Sequence, residues 1–186
     1  MQESLAWAQY IEQWHDFFLM AGTAAVTLAG LLFVAISLHV ETLVHESRQH
    51  LIDLSRATLM TFIMVLVLSL FMLAPGQSQR IVAFELMVLG VVFGAFTARL
   101  IFMKPPANHG GFSQDLFRRR LALPLFGYGW LALTGWLLMK GEPPATLRAV
   151  FAAVTVLLAS AAGTSWDLLV RVARIKLAEA KKADAA

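Results

Sequence analysis

The stretch GTAAVTLAGLLFVAISLH, residues 22–39, decides the fold class of this chain. It belongs to an apolar run over residues 17–40, which is long enough to cross a bilayer as a helix. A secretory signal would begin with positive charge, whereas the first 16 residues hold no Lys or Arg but contain Glu3, Glu12 and Asp16. We therefore expect a retained transmembrane helix that follows an acidic N-terminal tail.

The composition points to lipid rather than to water. Of 186 residues, 59% are hydrophobic and 15% are charged, whereas soluble domains carry about 25% charge. The absence of cysteine excludes disulfides, thiolate metal sites and cysteine catalysis. Although the net charge is +3, the basic residues lie beside apolar spans, so the positive-inside rule explains them better than nucleic-acid binding does.

Four further apolar runs follow the first, and proline or glycine pairs separate them. They cover residues 57–74, 81–103, 121–139 and 149–170. The predicted fold is an all-α polytopic transmembrane bundle of five spans, about 17–40, 57–74, 81–103, 121–139 and 149–170. Residues 1–170 form one domain, and residues 171–186 form a basic cytoplasmic helical tail. A four-span alternative would make the short second or fourth run re-entrant.

The charges predict the orientation, because Lys and Arg concentrate on the cytoplasmic side. Segments 41–56, 104–120 and 171–186 hold eleven of them, whereas the opposite side holds three. We therefore expect an extracytoplasmic N-terminus and a cytoplasmic C-terminus. The basic tail should meet anionic headgroups; the alternative is a docking tail for a soluble partner. The odd number of spans does not favour a transporter built from two equal halves within one chain.

Small residues recur on three of the predicted helices at spacings that leave one face without bulk. Such faces let helix backbones approach closely in lipid. Three interpretations stay open: packing inside one bundle, contact between subunits, and the lining of a water-filled pore. The candidate helix-packing residues are Ala21, Ala25, Ala29, Gly90, Gly94, Ala98, Ala159 and Gly163.

The first span and its approach carry a resemblance. The pattern W-H-x-F-F at residues 14–18, followed by G-x-A-A-x-x-L-x-G-L-L-F-V-A-x-S-L-H at residues 22–39, resembles the first membrane span of a group of small bacterial multi-pass proteins. The resemblance implies a bacterial inner-membrane protein. It supplies no catalytic residues for this chain.

Ionisable residues within membrane spans are candidates for function because they are costly to place there. Glu85 and Arg99 lie on the third span, about 21 Å apart along the axis, so they cannot touch. Arg99 either extends to the headgroups or pairs with Asp167 across helices. Asp167 can instead pair with Arg171, four residues later. Glu85 is either partly buried against a neighbouring helix or at an outer mouth.

Histidines concentrate in the segment HVETLVHESRQH, residues 39–50. We interpret this segment as a solvated cytoplasmic helical loop. The alternative is that His39, His45 and His50, with nearby glutamates, bind a metal or sense pH. The spacing is not that of the helical zinc motif HExxH, because His50 comes one position too late.

No catalytic motif is present, and the tripeptide Gly127-Tyr128-Gly129 lies within a continuous apolar span, so we expect a helix there and not a potassium filter. The sequence therefore predicts a non-enzymatic structural, scaffolding or regulatory membrane protein without a cofactor. Its expected partners are the lipid bilayer and a second copy or another membrane protein. The alternative is an oligomeric channel or small-solute transporter that uses Glu85 and Arg99.

Overall fold

The fold of the chain is all-α in a computed structural model that describes residues 2–38, 49–102, 114–141 and 146–183. The described residues form six helices. They are α1 (Gln2–Glu12), α2 (His15–Leu38), α3 (Gln49–Leu73), α4 (Gln79–Phe102), α5 (Gln114–Met139) and α6 (Leu147–Ala183).

Helices α2 to α6 correspond to the five predicted spans, except that residues 39–40 and 103 lie outside the described residues and Ala74 follows the end of α3. Each is long and apolar enough to cross a bilayer, so the all-α bundle of a multi-pass membrane protein is confirmed. Three helices extend beyond the predicted spans: α3 begins at Gln49, α5 begins at Gln114, and α6 continues to Ala183. The apolar runs mark the part of each helix that lipid accommodates, whereas helical hydrogen bonding continues into the polar flanks. The 37 residues of α6 are about 55 Å long, well over the thickness of a hydrocarbon core.

Helix α1 corrects the expectation of a simple N-terminal tail. Trp7 is buried, and Tyr10, Ile11 and Trp14 pack partly against the same core. These four side chains recur at positions i, i+3, i+4 and i+7, which is the spacing of one helix face. The polar residues between them, such as Gln9 and Glu12, are exposed. A short amphipathic helix thus lies against the bundle before the first span begins.

Contacts between helix ends define two ends of the bundle. The indole Nε1 of Trp7 donates to the carbonyl oxygen of Gln77 at 3.0 Å. The rings of Phe17 and Phe151 lie 4.8 Å apart. Helix α1, the start of α2, the turn between α3 and α4, and the start of α6 therefore meet at one end, here called the α1 end. The opposite end, where α6 leaves the bundle, is the tail end.

Helix α3 lies at the centre and contacts α2, α4 and α6, while α5 packs against α4 and α6. One large apolar core runs from the α1 end into the middle of the bundle, with Phe18, Leu68, Leu86, Leu131 and Val154 among its buried members. A smaller cluster fills the tail end. In the turn after α3, Gly76 has a φ of 73°, a left-handed conformation that favours glycine. A tight turn at Pro75 and Gly76 therefore joins α3 to α4.

Candidate functional site

The small-residue face at the start of α2 lies inside the bundle. Ala21 and Ala25 are 3% and 0% exposed. Gly22 faces α3 so closely that a Cβ atom there would lie 3.0 Å from the Cβ of Ser69. Ala29 is half-buried beside a smaller core cluster. This face therefore brings α2 and α3 together within one chain.

Helices α4 and α5 each place a glycine against the backbone of the other helix. A Cβ on Gly90 would lie 2.6 Å from both the carbonyl oxygen of Tyr128 and the backbone nitrogen of Ala132. In return, a Cβ on Gly135 would lie 2.6 Å from the carbonyl oxygen of Ala83. Only glycine permits this approach at either position, because the obstacle is backbone and not a flexible side chain. The two helices are thus held at the closest separation that their backbones allow.

The other predicted packing residues differ in position. A Cβ on Gly94 would lie 3.5 Å from the Cβ of Tyr128, an ordinary contact distance, and Ala98 is half-buried. By contrast, Ala159 and Gly163 on α6 are exposed. A Cβ on Gly163 would meet nothing within 4 Å. The predicted small residues on α2 and α4 are therefore buried or half-buried, whereas the predicted pair Ala159 and Gly163 on α6 faces outward.

Buried hydroxyl groups form a polar cluster in the middle of the bundle. The Tyr128 hydroxyl on α5 lies 2.7 Å from the Thr61 hydroxyl on α3, and Thr97 on α4 interacts with the same phenol. Thr61 also donates to the carbonyl oxygen of Ala57 at 3.1 Å, which leaves its oxygen to accept from Tyr128. Three helices are therefore joined through one tyrosine.

A small cavity adjoins this cluster on the side toward the tail end. Its volume is about 10 Å³, close to the least space that holds one water molecule. Its wall includes Thr58, Thr61, Thr97 and Thr164 together with Pro124. Because Pro124 has no N–H group, α5 lacks one helical hydrogen bond there. The cavity can accommodate one polar molecule of the size of water, and nothing larger.

Removing the hydroxyl contact between α3 and α5 should cost little but measurable stability. We expect Tyr128→Phe and Thr61→Val each to lower the free energy of unfolding by about 0.6 kcal/mol, and at most by about 1.7 kcal/mol, the range of such bonds between membrane helices. The double variant should lose less than the sum of the two single losses, because each single substitution already removes the bond between the two hydroxyls. Unfolding in mixed micelles measures these values.

The matched control is Thr23→Val on α2. Thr23 is exposed, and its hydroxyl donates to the carbonyl oxygen of Leu19 in its own helix. We expect no loss of stability there. A double variant whose loss equals the sum of the two single losses would contradict a direct bond between Thr61 and Tyr128.

The predicted intramembrane polar residues occupy three separate places. Glu85 is half-buried near the α1 end, where its Oε1 accepts a hydrogen bond from the Gln77 side chain at 3.3 Å. Arg99 is exposed near the tail end, and it forms no ion pair with Asp167 in the described part of the chain. Asp167 is half-buried on α6. The structure thus brings Glu85 together with a residue that the sequence analysis did not single out.

The histidine segment falls largely outside the description. His39 and His45 lie outside the described residues, and of His50 only the backbone, in the first turn of α3, is described. In the four described ranges, no group of three or more His, Cys, Asp or Glu side chains comes together in a way that could hold a metal ion.

Comparison of the chain with protein-family models, with curated proteins and with solved structures finds no match.

Proposed function

We propose that this chain is a non-enzymatic membrane protein of the bacterial inner membrane that acts by packing against a second copy of itself. The observation that carries the proposal is the outward face of α6. Ala152, Thr155, Val156, Ala159 and Gly163 are all exposed, and at 100° per residue they fall within an arc of about 100°. From Ala152 to Gly163 the face is narrow and made mainly of small residues, and the exposed Trp166 lies in the same arc just beyond Gly163.

The contrast with the other helices supports this choice of face. On α2 and α4 small residues allow close approach to a neighbouring helix of the same chain, as Gly22 and Gly90 show. On α6 the Ala159-Gly163 pair offers the same geometry without a neighbour, since nothing lies within 4 Å of the Gly163 position. In lipid, close packing of small residues is a main source of helix association. A second α6 would pack there as α5 packs on α4.

The proposed orientation has an extracytoplasmic N-terminus and a cytoplasmic C-terminus. Helix α1 and the turn that contains Gln77 lie together at the α1 end, where Trp7 joins them. Both segments are poor in Lys and Arg. The tail end carries the basic part of α6 beyond Arg171. This asymmetry is the one expected from the positive-inside rule.

Association in lipid bicelles tests the proposal. We expect the unmodified chain to dimerise, measured by energy transfer between labelled copies, and Gly163→Leu to raise the dissociation constant about 10-fold or more, equivalent to about 1.4 kcal/mol. The matched control is Gly30→Leu on α2, because Gly30 is also exposed with nothing within 4 Å. A monomeric unmodified chain, or equal effects of the two substitutions, would contradict the proposal.

A second candidate function is an oligomeric channel or small-solute transporter whose path lies between chains. The exposed hydroxyls of Thr23, Thr27 and Ser37 on α2 favour it, although each already donates to a carbonyl of its own helix. Ion flux into liposomes separates the two functions. The packing function predicts no flux above that of empty liposomes, whereas a channel predicts flux that Thr27→Val or Glu85→Ala reduces.

A further inference from the structure

Gln77 connects three elements at the α1 end. Its side-chain Nε2 donates to the carbonyl oxygen of Phe71 at the end of α3, at 2.8 Å. The same nitrogen donates to Oε1 of Glu85 on α4, at 3.3 Å. Its backbone carbonyl oxygen accepts from the indole of Trp7 on α1. The contact of Gln77 with Glu85 therefore also affects the end of α3 and the attachment of α1.

Two buried oxygen atoms of this pair have no hydrogen-bond donor among the described residues. They are Oε1 of Gln77 and Oε2 of Glu85. A buried acceptor without a donor costs about 1–3 kcal/mol, and more when it carries charge. If Glu85 were ionised, the pair would hold two acceptors and lack the one donor that both need.

Among the described residues, no cation pairs with the Glu85 carboxyl group. The ammonium group of Lys140 lies over the Trp136 ring instead. The segment 57–73 of α3 contains no ionisable residue, and in residues 121–139 of α5 Tyr128 is the single ionisable one. The other described acidic and basic side chains at this end are exposed, namely Glu12, His15, Asp16, Arg80 and Arg148, and Tyr10 is half-buried.

We propose that Glu85 and Gln77 form a proton-binding site in which Glu85 keeps its carboxyl proton at neutral pH. The proton on Oε2 would be donated to Oε1 of Gln77, while Nε2 of Gln77 donates to Oε1 of Glu85. One proton thus joins the two unpartnered oxygens by a hydrogen bond and completes an acid–amide pair. Only the terminal torsions of the two side chains need adjust, and these are broad.

The membrane favours the same state. Glu85 is the seventh residue of α4, about 9 Å along the axis from the start of that helix. A charge at such a depth is costly unless it is paired, and a buried group without a counter-ion tends to be neutral. Loss of the proton to water at the α1 end leaves a carboxylate facing the amide oxygen of Gln77. That repulsion weakens the Gln77 contacts that attach α1.

Infrared spectroscopy of the purified full chain at neutral pH tests the site. The unmodified protein should show the carbonyl stretch of a protonated carboxyl group, and Glu85→Gln should remove it. This substitution replaces the acid by an amide of the same shape, which can still donate to Gln77, so the fold is retained. Gln77→Leu should shift or remove the band because it deletes the partner of the proton.

Asp16→Asn is the matched control. Asp16 is fully exposed and lies beside His15, so its loss should reduce carboxylate bands alone. The proposal is overturned if the unmodified spectrum has no protonated-carboxyl band, or if Glu85→Gln changes only the carboxylate region as Asp16→Asn does. This measurement does not depend on association of the chains. It therefore tests the proton-binding site separately from the proposed contact through α6.

Discussion

Gly90→Ala is expected to destabilise the bundle by about 1–3 kcal/mol, the usual cost of overpacking a well-packed interior. The added methyl group would lie 2.6 Å from the backbone of α5 at two atoms. Backbone cannot rotate away as a side chain can, so α4 and α5 must separate along their length. Unfolding in mixed micelles, followed by loss of helix content, measures the change.

Gly94→Ala supplies the control one turn further along the same helix. There the added methyl group would make an ordinary contact of 3.5 Å with the Tyr128 side chain. Alanine also favours the helix over glycine by up to about 1 kcal/mol. We expect unchanged or slightly greater stability. Equal losses for Gly90→Ala and Gly94→Ala would show that α4 and α5 are further apart than described.

Trp7→Ala is expected to detach α1 from the bundle. Trp7 is 5% exposed, and replacing such a side chain by alanine costs about 3–5 kcal/mol when the site cannot refill. The substitution also leaves the carbonyl oxygen of Gln77 without its indole donor. Hydrogen exchange should therefore increase over residues 2–12 while α2 to α6 keep their protection, because the spans have a core of their own.

Two further variants separate the causes of that loss. Trp7→Phe keeps most of the apolar contact and removes the donor, so we expect a loss of about 1 kcal/mol. Trp166→Ala removes a tryptophan that is 68% exposed and should leave exchange over residues 2–12 unchanged. If Trp7→Ala leaves the exchange of α1 unaltered, α1 is not attached through this side chain.

The five spans were predictable because a helix that crosses lipid needs a long run of apolar residues. Such a run can be recognised in the sequence alone. Helix α1 was not predicted, although Trp7, Tyr10, Ile11 and Trp14 carry its signal. That signal is an amphipathic face only a few turns long, and it directly precedes a much stronger apolar run. The acidic residues around it made the segment resemble a tail.

The direction in which a small residue faces could not be predicted. Ala25 and Gly163 each follow another alanine by four residues, yet Ala25 is buried and Gly163 is exposed. Which face of a helix meets another helix depends on the arrangement of all five spans. The spacing of small residues within one helix does not determine that face. The close contacts of Gly90 with α5 and of Gly135 with α4 likewise depend on how the two helices pack together.

The polar contacts were predictable only in part. Glu85 is conspicuous in the sequence because it is charged within an apolar run. Its partner Gln77 lies in a turn, where an amide is ordinary, so nothing singled it out. Tyr128 was correctly expected within a helix and not in a filter, but its bond to Thr61 joins residues 67 positions apart. Such pairs follow from the packing of the bundle.

Disulfide cross-linking in native membranes tests the contact between the α6 helices of two copies, since the chain has no cysteine of its own. A disulfide requires the two Cα atoms to lie within about 7 Å of each other. We expect Gly163→Cys to give a linked dimer on mild oxidation, whereas Ala25→Cys, at a fully buried position, should stay monomeric. A dimer from Ala25→Cys together with none from Gly163→Cys would contradict this contact.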